Sequence, residues 1–453
     1  MQENSRGTFG GILGTIAVVG GSVVGLGNIW RFPYMAGENG GAIFILLYFL
    51  MSLFISVPIM LSEFTIGRAG QGNSMASFRK LSKNKLWQIV GIMGMVTAYI
   101  IMSYYAVIAG WSLDFIYESA AGNMMNHTPE SLSAAFHTFI SSGMKPIVWT
   151  LLFLLLSCGI LVFGVTKGIE KANKILMPLM VIILVGMVAN SVTLSGWSEG
   201  VNFLFEPDFS KLTWDVALKA LGQSFFSMSL GMGAMVVYGS YIKRTENMYK
   251  IAGIVAVSDV VIAVLSGLAI FPAVFTYGIE VTSGVELVFL TLPNIFNQMA
   301  GGYYISIAFF LLLFFAAITS SVSLIEVVIA FISEELKIKR KYSTIIAFIL
   351  IASVAILCAL SQMPDSPIKL LGMTLFDFND MITSIFIMPL CALSIVIFVG
   401  WFLSRKVVLS ELSSDGLFSY TTLIKFSYFM IRYIVPCVII LLFVSGVLTM
   451  FAS

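Results

Sequence analysis

Charge is the scarcest property of this 453-residue chain: Lys, Arg, Asp and Glu make up only 11% of it, against 58% hydrophobic residues. A soluble fold of this length cannot solvate its surface with so few ionised groups, and a mean hydropathy of +0.98 points the same way. Histidine is nearly missing. The only two, His127 and His137, share one polar loop and make a weak metal site. Four cysteines, Cys158, Cys358, Cys391 and Cys437, all fall inside apolar runs. They have neither metal-site spacing nor the loop placement of a disulfide framework, so they read as packing. No Ser–His–Asp, Cys–His or metal-ligand set lies within the apolar runs, which argues against an enzyme. Nothing resembles a basic nucleic-acid surface, and no obligate protein partner is evident. The short polar start "MQENSRGTFGG" lacks the form of a cleavable signal, and the first apolar run is long enough to span.

What the chain has in abundance is apolar runs long enough to cross about 30 Å of hydrocarbon. Eleven candidate spans lie near 10–36, 41–66, 86–118, 146–164, 170–191, 213–242, 247–279, 302–333, 343–360, 372–403 and 426–451. They are called spans 1 to 11 below. Alternate loops carry 19 of the 25 Lys and Arg residues, while Arg31 and Arg432 sit within spans. This asymmetry implies a multi-pass protein of the cell membrane with a cytoplasmic N-terminus and, for an odd number of spans, an extracellular C-terminus.

Two spans are interrupted. Span 1 holds "SVVGLGN" (Ser22–Asn28) near its middle, and span 6 holds "SMSLGMG" (Ser227–Gly233). Glycine breaks at matching places, five spans apart and hence oppositely directed, are the mark of an inverted-repeat secondary transporter. In lipid an interrupted backbone is tolerated only against protein, water or ligand. Its freed carbonyls suit a cation such as Na⁺, and the N–H groups opening the next half-helix suit a carboxylate. Glycines alone also serve close helix packing, but Asn28 and the second break favour a site. A third cluster, Thr319 to Ser323 in span 8, offers hydroxyl oxygens at the same depth. Such hydroxyls otherwise bond to carbonyls of their own helix.

Three stretches then resemble the neurotransmitter:sodium symporter family: "GLGNIWRFPYMAGENGGAIF" (Gly25–Phe44), "GQSFFSMSLGMG" (Gly222–Gly233) and "FFAAITSSVSLIE" (Phe314–Glu326). They occur in the family's order, and the resemblance covers essentially the whole chain. It implies an all-α LeuT-type 5+5 inverted repeat with broken helices 1 and 6 and one extra C-terminal helix. On this reading residues 1–453 form a single transporter domain, with repeats at 10–191 and 213–403 and span 11 at 426–451. The function implied is sodium-coupled uptake of hydrophobic amino acids, aliphatic and aromatic, by alternating access.

The resemblance also implies site residues. The first sodium would meet the carbonyl of Val23, with Asn28, Ser227 and a span 7 ligand, Asp259 or, one residue earlier, Ser258. The second would meet the carbonyls of Gly21, Val24 and Ala316 and the hydroxyls of Thr319 and Ser320. A substrate carboxylate would face the N–H groups of Leu26 and Gly27 and the hydroxyl of Tyr105, with its ammonium near the carbonyls of Val23, Phe226 and Ser229. Ile101, Phe226, Met232 and Leu324 would line the side-chain pocket, with Ser229 and Ser320 at its edge. Amine carriers of the family hold an Asp where this chain has Gly25, so the cargo must bring its own carboxylate. An aspartate at position 259 would offset the cation's charge, and chloride is not expected. Arg31 and Asp380 would form the outer gate, and Arg6 with Glu334 the inner one, unless the last two are ordinary juxtamembrane charges. Gly168 and Pro178 bracket a stretch of span 5 where unwinding would open a water path. Glu63 in span 2 reads either as an anchor for the broken helices or as packing. The rival readings are a sodium-independent or proton-coupled exchanger of the same fold, and a receptor that binds amino acids without transport.

Overall fold

A computed structural model describes residues 7–125, 127–278, 287–418 and 421–452. The apolar runs form helices because only a helix satisfies its own backbone within lipid. Among the described residues nine helices are long and apolar enough to cross a membrane: Ala42–Gly70, Leu86–Ala120, Met144–Val162, Val165–Ser191, Met248–Tyr277, Gly302–Glu335, Arg340–Ser361, Leu375–Phe402 and Thr421–Leu448. These are spans 2 to 5 and 7 to 11. Span 1 is a bent pair, Ile12–Val23 and Gly27–Glu38, meeting at 50°. Span 6 is two shorter helices, Trp214–Ser227 and Ala234–Gly239, either side of its glycine break. Neither half is long enough to cross alone, which is why a length criterion passes over it; the arrangement is consistent with eleven crossings.

Spans 3 and 8, of 35 and 34 residues, pack along one another at the centre. Spans 4 and 9 flank span 3, and span 5 leans on span 8. The broken helices pass beside this central pair: the first half of span 1 against spans 7 and 8, the second half of span 6 against span 2. Two contacts show how closely backbones approach there. A Cβ on Gly67 would lie 2.0 Å from the Val236 carbonyl oxygen, and one on Gly239 would lie 2.8 Å from the Phe64 Cα. Spans 2 and 6 therefore meet through glycine at both points, because any larger residue would force the backbones apart.

On the cation-rich side a buried ion pair joins three connections. Arg68, at the end of span 2, is fully buried and donates from Nε to a Glu411 carboxylate oxygen at 2.7 Å. Its other nitrogens reach the main-chain oxygens of Glu246 and Glu411. Glu411 lies on the short helix Arg405–Leu412 that follows span 10. Removing one member of such a pair strands a buried charge. Glu411→Ala should therefore lower the unfolding free energy by about 3 kcal/mol, seen as an earlier thermal melt of the purified protein in detergent. A neutral result would show that water reaches Arg68.

Candidate functional site

The two helix breaks meet each other at mid-molecule. In span 1 the helix stops at Val23, and Val24 turns extended (φ −80°, ψ 95°). The chain then resumes as a wide π turn over Gly27–Arg31. Asn28 closes the gap locally: its Oδ1 accepts from the Gly25 N–H at 3.1 Å. In span 6 the helix ends at Ser227, and Ser229, Gly231 and Gly233 all take positive φ, of 53°, 72° and 72°. For a serine this left-handed backbone is unfavourable and needs support from its surroundings. The support is a hydrogen bond from Ser229 Oγ to the Ser22 carbonyl at 3.0 Å, which ties one break to the other. Glu63 anchors the same turn from span 2, its Oε1 accepting from the Gly231 N–H at 2.8 Å. The anchoring alternative for Glu63 is the one the structure adopts.

Around Asp259 the structure brings together residues from four spans. Asn28 Nδ2 donates to the Asp259 carboxylate at 2.7 Å and to its main-chain oxygen at 3.1 Å. Ser227 Oγ donates to the same carboxylate at 2.5 Å, and Tyr48 Oη of span 2 donates to its other oxygen. Asp259 is fully buried, whereas Ser258 points to a half-buried face away from this cluster. Of the two register alternatives, Asp259 is the one that meets Asn28 and Ser227. A buried carboxylate with three donors and, among the described residues, no cationic side chain against it is a hard, negatively charged oxygen site. Tyr48 escaped the sequence reading, although a hydroxyl in so apolar a run was a signal. Gln223, which donates to the Gly27 carbonyl at 2.9 Å, was also missed.

The second cluster joins spans 1 and 8. Thr319 Oγ1 lies 3.4 Å from the Val24 carbonyl and 3.0 Å from that of Ala316. Ser320 Oγ donates to the Ser22 carbonyl at 3.4 Å. Gly21, one turn earlier, rests on Asn173 of span 5, whose Nδ2 would lie 2.5 Å from a Cβ there. Carbonyl and hydroxyl oxygens from two helices thus converge without a carboxylate.

Between the two clusters lies a small cavity of about 20 Å³, room for about one water, lined by Ser22, Val23, Gly25, Gly27, Ile101, Tyr105, Phe226, Ser227, Ser229, Met232, Ser320 and Leu324. All the expected substrate contacts except Leu26 line it. The Leu26 N–H points at its wall, donating to Tyr105 Oη at 3.3 Å. The lining combines the hydroxyls of Tyr105, Ser227, Ser229 and Ser320 with the apolar side chains of Ile101, Met232 and Leu324. Among the described residues no ionised side chain lines it.

The gates are arranged differently from expectation. Arg31 and Asp380 do not touch: the Arg31 guanidinium lies over the Phe226 ring, 4.5 Å from its centre. Asp380 instead accepts from Tyr104 Oη at 2.9 Å and Ser384 Oγ at 3.2 Å. Arg6 lies outside the described residues. Glu334 accepts from the Asn73 main-chain N–H at 2.7 Å, joining span 8 to the helix Ser74–Leu81. In span 5 the bracketed segment is wound: Val165–Glu170 forms a π turn, and Lys171–Ser191 runs on as helix through Pro178. Gly168 is held against the end of span 4, where a Cβ would lie 2.2 Å from the Ile160 carbonyl. Glu170 accepts from the Gly10 N–H at 3.0 Å and so clamps the start of span 1 to this turn.

The model of the sodium:neurotransmitter symporter family matches residues 6–132 and 131–453. The chain belongs to that family. It is 34% identical over 449 residues to the uncharacterized sodium-dependent transporter YhdH of Bacillus subtilis, covering 98% of each chain. A second uncharacterized sodium-dependent transporter, from Haemophilus influenzae, is 36% identical over 458 residues, covering 98% of this chain and 99% of the other. Among solved structures, that of MhsT in complex with L-phenylalanine superposes with a TM-score of 0.90 at 39% identity, covering 97% of this chain and 100% of that one. The symporter is therefore a sodium-dependent membrane transporter, not an enzyme, with the inverted-repeat fold.

Gly25 is the tightest point of the cavity. A Cβ there would lie 2.0 Å from Ser320 Oγ and 3.4 Å from Tyr105 Oη. Gly25→Ala should push Ser320 off the Ser22 carbonyl and weaken binding of labelled substrate about tenfold or more, the cost of an overpacked site. The melting temperature should change little. Binding equal to that of the unsubstituted protein would show that Ser320 swings clear without consequence.

Proposed function

We propose that this transporter is a symporter for hydrophobic L-amino acids, aliphatic and aromatic, driven inward by two sodium ions and independent of chloride. The observation that carries the reading is the polarity of the cavity. The lining sets the Tyr105 hydroxyl, which takes the Leu26 N–H, and four serines beside apolar side chains, and Gly25 leaves no carboxylate to receive an amine-only ligand. A zwitterion with an apolar side chain matches this pattern. The neighbouring structure of MhsT holds L-phenylalanine, which supports an amino acid as cargo.

The first sodium would lie where Asn28, Ser227 and Asp259 converge, with the Val23 carbonyl and the substrate carboxylate completing it. The second would lie among the carbonyls of Gly21, Val24 and Ala316 and the hydroxyls of Thr319 and Ser320. Asp259 supplies the negative charge that a bound chloride would otherwise bring. Ion and substrate affinities are then coupled reciprocally, because a substrate carboxylate and a sodium share one site. Alternating access follows from rocking of the broken helices around a fixed site. Release inward requires Gly10 and Glu170 to part and span 5 to unwind between Gly168 and Pro178. The N-terminus would face the cytoplasm and the C-terminus the outside.

Uptake of labelled Leu, Phe and Trp into proteoliposomes tests this. Uptake should require an inward Na⁺ gradient and persist when gluconate replaces chloride. Thr319→Ala should reduce uptake and raise the Na⁺ concentration needed for half-maximal rate. Asp259→Asn should make the residual activity depend on chloride. Uptake that continues with K⁺ or choline in place of Na⁺ would favour a sodium-independent exchanger, and binding without uptake a receptor.

A further inference from the structure

Span 11 carries an arginine that the transport site does not use. Arg432 lies on a π turn of this helix, Met430–Ile434, and among the described residues no carboxylate lies within ion-pair distance of it. Its guanidinium sits 4.5 Å from the centre of the Trp401 ring and 5.5 Å from that of Tyr433. One terminal nitrogen donates to Tyr428 Oη at 3.3 Å, and Nε is buried without an acceptor. The span runs to Leu448, so Arg432 lies about 24 Å from its far end, at 1.5 Å per residue. That places it several ångströms inside an apolar slab of about 30 Å. A charge at this depth needs a counter-charge or a route to the interface.

The surroundings supply cations rather than anions. Lys425 is exposed and lies two turns earlier on the same helix face, in line with Tyr428 and Arg432. Arg405, also exposed, places its guanidinium 5.6 Å from the centre of the Tyr428 ring. The acids of the segment after span 10 are already engaged: Glu411 by Arg68 and Arg244, Asp415 by Arg244. Flanking these cations, Trp401, Phe402, Phe429 and Tyr433 are about half exposed, an aromatic belt of the kind that marks the headgroup boundary. The cleft is rigid at its base, because Trp401 Nε1 donates to the Arg432 carbonyl at 2.9 Å and a Cβ on Gly400 would lie 3.0 Å from the Arg432 Cα.

We infer that the cleft between spans 10 and 11 binds an anionic phospholipid. The phosphodiester sits against Arg432, Lys425 and Arg405, and the acyl chains run up past Trp401 and Phe429. A guanidinium matches two phosphate oxygens with its planar fork. The exposed aromatic wall selects a lipid over a free phosphate ion, since a soluble anion leaves that wall uncovered. The lipid would pin span 11 to span 10 at the one place where an unbalanced charge lies between them.

Native mass spectrometry of the delipidated full-length transporter, titrated with phosphatidylglycerol or phosphatidylcholine in detergent, tests the site. Phosphatidylglycerol should bind more tightly than phosphatidylcholine, and Arg432→Gln should weaken it about fivefold, the contribution of one interfacial cation. The double variant Lys425→Gln/Arg405→Gln changes only exposed side chains and keeps the test open if Arg432→Gln does not fold; it should weaken binding at least as much. Arg432→Lys should retain most of the affinity. Equal binding of phosphatidylglycerol by the double variant and the unsubstituted protein would overturn the site. So would equal affinity for phosphatidylcholine. Displacement of phosphatidylglycerol by inorganic phosphate would reassign the cleft to a soluble anion and overturn the lipid.

Discussion

Two helices broken at mid-membrane leave backbone groups that hydrocarbon cannot satisfy, and the rest of the structure is organised around their replacement partners. Asn28 takes the Gly25 N–H, Glu63 the Gly231 N–H, Gln223 the Gly27 carbonyl and Ser229 the Ser22 carbonyl. Each of these side chains is buried, Asn28 and Ser229 within the broken spans themselves and Glu63 on the neighbouring span 2. An unmade hydrogen bond in such surroundings costs far more than the net gain from a made one, so the breaks persist only with the full set of partners in place. The same partners leave oxygens and N–H groups facing a common cavity. Structural repair and ligand binding are thus performed by one network.

Charge obeys the same economy. Asp259 is buried among three donors and, among the described residues, meets no cationic side chain, which makes it suited to an ion that arrives from outside the protein. By contrast two other buried carboxylates are paired with cations: Glu411 with Arg68, and Glu326 with Arg340 at 2.5 Å. Buried Glu63, like Asp259, is held by hydrogen-bond donors instead. Arg432 is the inverse case, a cation whose resident neighbours are aromatic rings.

Arg31 and Asp380 each meet an aromatic residue rather than one another. Phe226 caps the cavity beneath Arg31, and Tyr104 rather than Arg31 holds Asp380. At the opposite end Glu170 fastens the Gly10 N–H to the π turn opening span 5. A π turn is a wide and readily altered stretch of helix. The clamp placed there joins the first half of span 1 to the turn that opens span 5.

Much of this was legible in the sequence because its physical cause is local. Apolar length marks a span whatever its neighbours, and a glycine cluster with Asn28 marks a break whatever lies across from it. The motifs of spans 1, 6 and 8 hold most of the cavity residues, and the family resemblance they carry implied the rest, Ile101 and Tyr105 of span 3. What composition and spacing could not specify depends on the angle and depth at which helices pack. Tyr48 reaches Asp259 only because span 2 crosses span 7 at that level, and Gln223 reaches Gly27 for a similar reason. The choice between Asp259 and Ser258 is a rotation of about 100° about one helix axis, the turn per residue of a helix with 3.6 residues per turn. The separation of Arg31 from Asp380 is likewise decided by where Phe226 comes to rest. Sequence alone determined which segments enter the membrane and where the backbone is interrupted; only tertiary packing decided which side chains answer those interruptions, because a hydrogen bond needs its partner within about 3 Å and nothing along the chain sets that distance.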